Sequence, residues 1–188
     1  MKYKTLVVDP PWNQGKTGKR SVRPNQGTKL NYKTMTLKEI KNFPIDDYAD
    51  EQCHMYLWTT NRFLRDAFDV LKEWGFKFHV VLVWRKPTGV CPFSFQFVNE
   101  YVLFGYRGKF KINKMGTQTT FDASVREHSR KPDILYEIAE KCSDAPRIDM
   151  FSREKRLGWD QFGDEVEFYD SSKQKEKESQ VKHRKRIP

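Results

Sequence analysis

The chain reads as an α/β protein with a mostly parallel sheet and helices on both faces. Short β-branched and apolar runs alternate with stretches of helical periodicity, and Pro or Gly punctuates the joins. Size agrees: 188 residues suit one compact unit, because two halves would each have a marginal core. With 37% apolar residues, among them 14 Phe, 8 Tyr and 5 Trp, there are enough large side chains to fill a core and line a site.

The elements follow in order. Lys2–Val8 is a strand that halts at Asp9-Pro10-Pro11, where two prolines oppose both helix and ladder pairing. Residues 13–33, rich in Gly and basic residues, predict a long mobile loop. Thr36-Leu37-Lys38-Glu39 has the spacing of a capping box, predicting a short helix from Leu37 to Asn42 before Pro44. His54–Thr59 is a buried strand. Asn61 then caps a helix with an apolar stripe of Phe63, Leu64, Ala67, Phe68, Leu71 and Trp74, closed by Gly75. Phe76–Trp84 is a strand, 85–97 a loop and Val98–Tyr106 a strand. No period is clear from Gly108 to Glu127. A helix opens at Pro132 and runs through Leu135, Ile138 and Ala139 to Cys142, followed by strands at Pro146–Phe151 and Val166–Tyr169. Sheets of this kind carry ligand sites at the carboxyl ends of their strands.

Net charge is +10, and its distribution is uneven. Residues 13–33 hold Lys16, Lys19, Arg20, Arg23, Lys29 and Lys33 with no acid, and residues 171–188 hold seven cations against Glu176 and Glu178. The rest of the chain is close to neutral. Two basic segments on a neutral body suit a polyanion partner, since Lys and Arg release counterions from phosphates. For the tail, which has almost no apolar residues and reads as disordered, a solubilising role is the alternative. No run approaches the roughly 20 apolar residues of a membrane span, so no membrane partner is expected and the cytoplasm is the default compartment. Cys53, Cys91 and Cys142 lie far apart without metal-ligand spacing and read as reduced thiols, with no metal site.

The chemistry is carried by Asp9-Pro10-Pro11-Trp12. The amino group of a base is a poor nucleophile because its lone pair is delocalised into the ring. The Asp9 carboxylate and the Pro10 carbonyl can accept its two N–H bonds, and Trp12 offers a flat face for stacking the base. A strand-ending turn with a buried Trp is the alternative.

The tetrapeptide resembles the [DNS]-P-P-[YFW] signature of amino methyltransferases, and the likeness extends well beyond it. Asn31–Thr36, Met55–Thr60, Val83–Lys86, Glu100–Gly105, Arg126–Asp133, Met150–Arg153 and Gly158–Asp160, in that order, resemble the MT-A70 family over roughly residues 3–168. The resemblance implies a Rossmann-like S-adenosylmethionine-dependent methyltransferase fold of permuted motif order, occupying residues 1–170 ahead of a basic tail, 171–188. It implies S-adenosyl-L-methionine as cofactor and N6 of adenine as acceptor, with Asp9, Pro10, Pro11 and Trp12 catalytic.

By the same resemblance Phe151, Ser152 and Arg153 replace a phosphate-style glycine loop. Arg153 holds the methionyl carboxylate or the ribose, unless it braces a helix terminus. Arg107 stands where relatives have a Lys that pairs with the donor carboxylate, unless it is a solvated loop charge. Lys155 and Arg156 replace a His-Asn pair near the ribose. Gly163-Asp164-Glu165 stands where relatives carry Gly-Asn-Gln or Gly-Asn-Glu, and Asp164 departs from that pattern by losing the amide donor. Tyr32 lies in the loop that closes on the base, and the six cations of residues 13–33 are expected to clamp a strand while a base is extruded. Trp58, Trp74 and Trp84 read as core.

Short relatives of this family are associated with DNA, and no zinc-knuckle or RRM signature points to RNA, so DNA is the expected acceptor. RNA adenosine methylation, cytosine N4 as the amine, and a catalytically weak nucleic-acid-binding subunit remain as alternatives. A homodimer or a second subunit is left open as the source of a target-recognition surface.

Overall fold

The computed structural model describes residues 1–13, 34–87, 95–125 and 130–163. Ten elements follow one another: β1 (Tyr3–Val8), α1 (Leu37–Lys41), β2 (Ala49–Thr59), α2 (Leu64–Glu73), β3 (Lys77–Arg85), β4 (Asn99–Arg107), β5 (Thr120–Asp122), α3 (Asp133–Cys142), β6 (Arg147–Met150) and β7 (Asp160–Phe162). The sheet order is β5-β3-β4-β2-β1-β6-β7. β4 runs antiparallel to both neighbours, and every other pair is parallel. β2 and β3 therefore point the same way across α2, and the antiparallel β4 lies in the gap between them.

Alternation along β1 divides the core. Leu6 and Val8 face one side with Met55, Leu57, Ala67, Val70, Leu71 and Trp74, under α1 and α2. Val7 faces the other with Tyr56, Trp58, Phe104, Leu135, Tyr136 and Ala139, under α3. Each fully buried Leu of this kind contributes about 1.5–3 kcal/mol. Gly105 lets α2 approach the sheet, because a Cβ there would stand 3.0 Å from the Lys77 carbonyl oxygen and 3.1 Å from the Leu71 side chain.

The predicted capping box is present: the Thr36 hydroxyl accepts from the Glu39 N–H at 3.2 Å and the Glu39 carboxylate accepts from the Thr36 N–H at 2.7 Å. Gly75 ends α2 with φ of 74° and donates to the Lys72 carbonyl. Asn61, however, caps nothing. Asn61–Phe63 is a 3₁₀ turn, and α2 begins at Leu64 without a side-chain cap. Phe68 is half-exposed and stacks edge-on against Phe78, while Val70, absent from the predicted stripe, is fully buried. Strands β5 and β7 have no counterpart among the predicted elements. Pro132 is the N-cap of α3. The predicted loop at 13–33 is described only at Asn13, and Val166–Tyr169 and the tail lie outside the described residues. Trp58, Trp74 and Trp84 are buried core residues, as expected.

Candidate active site at the carboxyl edge of the sheet

Helix α3 leads into β6, so it runs against the parallel strands and its amino end lies at their carboxyl edge. Antiparallel β4 delivers its amino end, with Glu100, to the same edge. Asp9 after β1, Lys86 after β3, Glu100 and Lys131 are thus brought together from four parts of the sequence.

These four form a chain of alternating charge. Lys131 Nζ lies 3.2 Å from Asp9 Oδ2 and donates to Glu100 Oε2 at 3.0 Å, and Lys86 Nζ donates to Glu100 Oε1 at 2.9 Å. Lys131 also sits 4.9 Å over the Trp58 ring. Burial pushes the Asp9 carboxyl up, Lys131 and Arg153 draw it back, and Glu100 adds to the rise. Burial also pushes Glu100 up, but Lys131 and Lys86 outweigh it and hold Glu100 below its ordinary range. Burial would deprotonate Lys131, yet the two carboxylates outweigh that and hold it firmly charged. A carboxylate has about four lone-pair sites, so one contact with Lys131 leaves Asp9 capacity to accept an N–H.

The Asp9–Trp12 turn is built differently from the sequence reading. Trp12 is 6% exposed, its ring stacks on Phe63 at 5.4 Å, and its Nε1 donates to the Trp58 carbonyl at 3.1 Å. A ring so enclosed fits the alternative of a strand-ending turn anchored by a buried Trp. Pro10 is buried and its carbonyl accepts from the Trp12 N–H at 2.7 Å, while the Pro11 carbonyl accepts from Met35 N at 2.9 Å. The Asp9 N–H bonds to the Met150 carbonyl, tying the turn to β6.

One pocket opens beside this turn. Of the residues predicted for the donor, Phe151, Ser152, Arg153 and Arg156 line it together with Asp9. Phe151 has φ of 61°, a left-handed conformation that costs a non-glycine residue about 1–3 kcal/mol and reverses the chain directly after β6. Its ring is held edge-on by Phe43 and Phe162. Lys155 is exposed and does not line the pocket. Arg107 is not brought here at all. It ends β4 opposite Cys53, at the far edge of the sheet, where it pairs with Asp46 and the Trp74 carbonyl over the Phe76 ring. Glu165, Asp164, Tyr32 and the cations Lys16, Lys19, Arg20, Arg23, Lys29 and Lys33 lie outside the described residues.

Five further residues line the pocket that the sequence reading did not name as site residues: Arg130, Lys131, Tyr136, Asp149 and Glu154. A sequence signal existed for Asp149, a charged residue within an otherwise buried strand. Tyr136 donates to Asp149 Oδ2 at 2.9 Å, and burial pushes the Asp149 carboxyl up to about 7 against the pull of Tyr136 and Arg156. The Arg156 guanidinium lies 3.7 Å over the Tyr136 ring, and its buried Nε stands 3.8 Å from Asp149 Oδ2 with no hydrogen bond among the described residues.

The site and sheet define a Rossmann-like α/β enzyme whose pocket sits at the carboxyl ends of β1 and β6. The MT-A70 family matches residues 3–165. The chain belongs to that family and is a methyltransferase. It is 25% identical over 182 residues to a type II methyltransferase, M.MunI, of Mycoplasma sp, covering 88% of this chain and 78% of that protein. It is 26% identical over 178 residues to an MT-A70-like N(6)-adenosine-methyltransferase protein of Drosophila melanogaster, and 25% over 182 residues to the catalytic subunit of the human N(6)-adenosine-methyltransferase. Each of these matches covers 88% of this chain, but the chain spans only 27% and 28% of those two relatives. No helix among the described residues is long and apolar enough to cross a membrane.

Proposed function

We propose that this protein transfers a methyl group from S-adenosylmethionine to N6 of adenine in DNA. The reading rests above all on one observation: Asp9, fixed by Lys131 and by the backbone of β6, shares a pocket with Phe151, Ser152, Arg153 and Arg156. The residues present fit such a donor. Its carboxylate would meet Arg153, and its ammonium and ribose hydroxyls would meet the carboxylates that face the pocket, Asp149 among them. The bound donor supplies an electrophilic methyl on sulfur, so the protein's part is orientation and electrostatics.

Lys131 favours the ionised form of Asp9 against burial, and the Asp9 carboxylate accepts an N–H of the adenine amine and turns its lone pair toward the pocket. Trp12 holds the Pro10-Pro11 turn rigid, so the Asp9 carboxylate meets the amine without reorganising. The cations of 13–33, with Tyr32, are proposed to hold the strand whose base has been extruded. DNA as the acceptor is favoured by the match across most of a type II methyltransferase, against about a quarter of each N(6)-adenosine relative.

Purified protein with isotopically labelled donor should place label at N6 of adenine in single- or double-stranded DNA. Asp9→Ala should abolish turnover while donor binding by calorimetry is retained. Label in RNA but not in DNA would overturn the DNA reading, and loss of donor binding in Asp9→Ala would overturn its role toward the amine.

A further inference from the structure

The segment before α3 and the turn after β6 are joined by a cluster of ions that neither Asp9 nor Lys131 belongs to. Glu154 stands at its centre. Arg130 grips its carboxylate through Nε, at 3.2 Å, and through Nη2, and Arg156 Nη2 donates to the same carboxylate at 2.8 Å. Arg156 Nη1 pairs in turn with Asp133 in the first turn of α3. All three side chains at the centre are largely withdrawn from water, with exposures of 16%, 17% and 12% for Arg130, Glu154 and Arg156. The Glu154 backbone is fixed as well: the Ser152 hydroxyl donates to the Glu154 carbonyl at 2.8 Å and accepts from its N–H at 3.3 Å, while Ser152 N bonds to Phe162 in β7.

Two facts of chain geometry give this cluster reach. Arg130 precedes Lys131 by one peptide, so holding Arg130 limits where the Lys131 ammonium can stand against Asp9. Glu154 follows Arg153 by one peptide, so the same carboxylate sets the turn that walls the other side of the pocket. Without it, both arginines would lose the carboxylate that links them.

We propose, resting on the methyl-transfer reading above, that Glu154 is a positioning residue: by bridging Arg130 and Arg156 it holds the donor pocket and the Lys131–Asp9 pair in one mutual arrangement. Its effect on Asp9 is electrostatic and indirect. Asp9 is faced by Lys131, Arg153 and Glu100, with Asp149 and Tyr136 across the pocket. If the segment holding Lys131 loosens, Asp9 loses the ammonium 3.2 Å away that favours its ionised form, and a higher pH is needed to reach that form.

Glu154→Ala should therefore weaken donor binding in calorimetry about tenfold and lower kcat by roughly tenfold to a hundredfold. The acidic limb of its pH–kcat profile should move upward by about half a unit or more. Arg130→Met should reproduce both effects, and the double variant should be no worse than either single one, as members of one unit behave. Glu154→Gln, which keeps an acceptor oxygen for one arginine and should fold if Glu154→Ala does not, should fall between the two. Wild-type donor affinity and an unmoved acidic limb in both Glu154 variants would overturn the proposal. So would a loss of donor affinity that leaves the limb in place and adds to that of Arg130→Met, because Glu154 would then touch the donor by itself. The calorimetric arm needs no methyl acceptor, so it stands even if the DNA reading fails.

Discussion

At the scale of single residues, opposing forces set the protonation of the pocket. Asp9 and Asp149 are both raised by burial, but Asp9 has an ammonium 3.2 Å away, whereas Arg156 Nε stands 3.8 Å from Asp149. Lys131 offsets part of the rise that burial imposes on Asp9, whereas Asp149 is left to titrate at about 7. The sign of its effect on folding follows. The unfolded carboxyl releases its proton near pH 3.9, whereas the folded one keeps it to about 7. Stability from this group is therefore full below about pH 4 and is lost as pH rises through 7. Thermal unfolding from pH 5 to 8 should show the wild type losing stability relative to Asp149→Asn. Parallel curves for the two would mean that Asp149 is already ionised throughout.

At the scale of elements, the Asp9–Trp12 turn is rigid because its Trp is inside. Trp12→Ala should destabilise the fold by about 3–5 kcal/mol through the cavity it leaves. Trp12→Phe keeps a ring against Phe63 and loses one hydrogen bond to Trp58, worth about 1 kcal/mol. It should retain most of the activity, as denaturant unfolding and kcat measured side by side would show. A collapse of kcat in Trp12→Phe with stability intact would restore a stacking role. The same scale shows what was legible beforehand. β1, α1 with its capping box, and most of α2 and α3 could be read because local chemistry determines them: a double proline, a Thr-to-Glu spacing, a stripe recurring every three or four residues. β5 and β7 could not, since three residues carry no period and each exists by pairing with one neighbour. The antiparallel insertion of β4 could not, because sheet order is a property of the whole chain. Asp9 and Arg153 were recognisable by motif, but Lys131 and Glu100 lie 31 residues apart and become a pair only through the sheet. Arg107 fell on the wrong edge because an aligned position says nothing of which end of a strand it will occupy once that strand is inserted antiparallel.

At the scale of the whole molecule, the described body and the basic segments differ in charge. The charges that meet at the carboxyl edge largely neutralise one another, as in the chain from Asp9 to Lys86 and in the Arg130–Glu154–Arg156 cluster. Compensated charges of that kind hold a pocket in shape and add little long-range attraction for a polyanion. The excess that gives the protein its net +10 is concentrated instead in residues 13–33 and 171–188. Nucleic-acid affinity should therefore be separable from the chemistry. Deleting residues 171–188 should leave donor affinity unchanged while weakening DNA binding, and the loss should be largest at low salt. Each phosphate contact removed flattens the plot of log affinity against log salt by about 0.9 for duplex DNA and about 0.7 for a single strand. With seven cations in the segment, the deletion should flatten that plot by more than one contact's worth, measured by fluorescence anisotropy over a salt series. An unchanged slope would show that the tail keeps the protein soluble without touching phosphate, and would leave residues 13–33 to carry the electrostatic attraction alone.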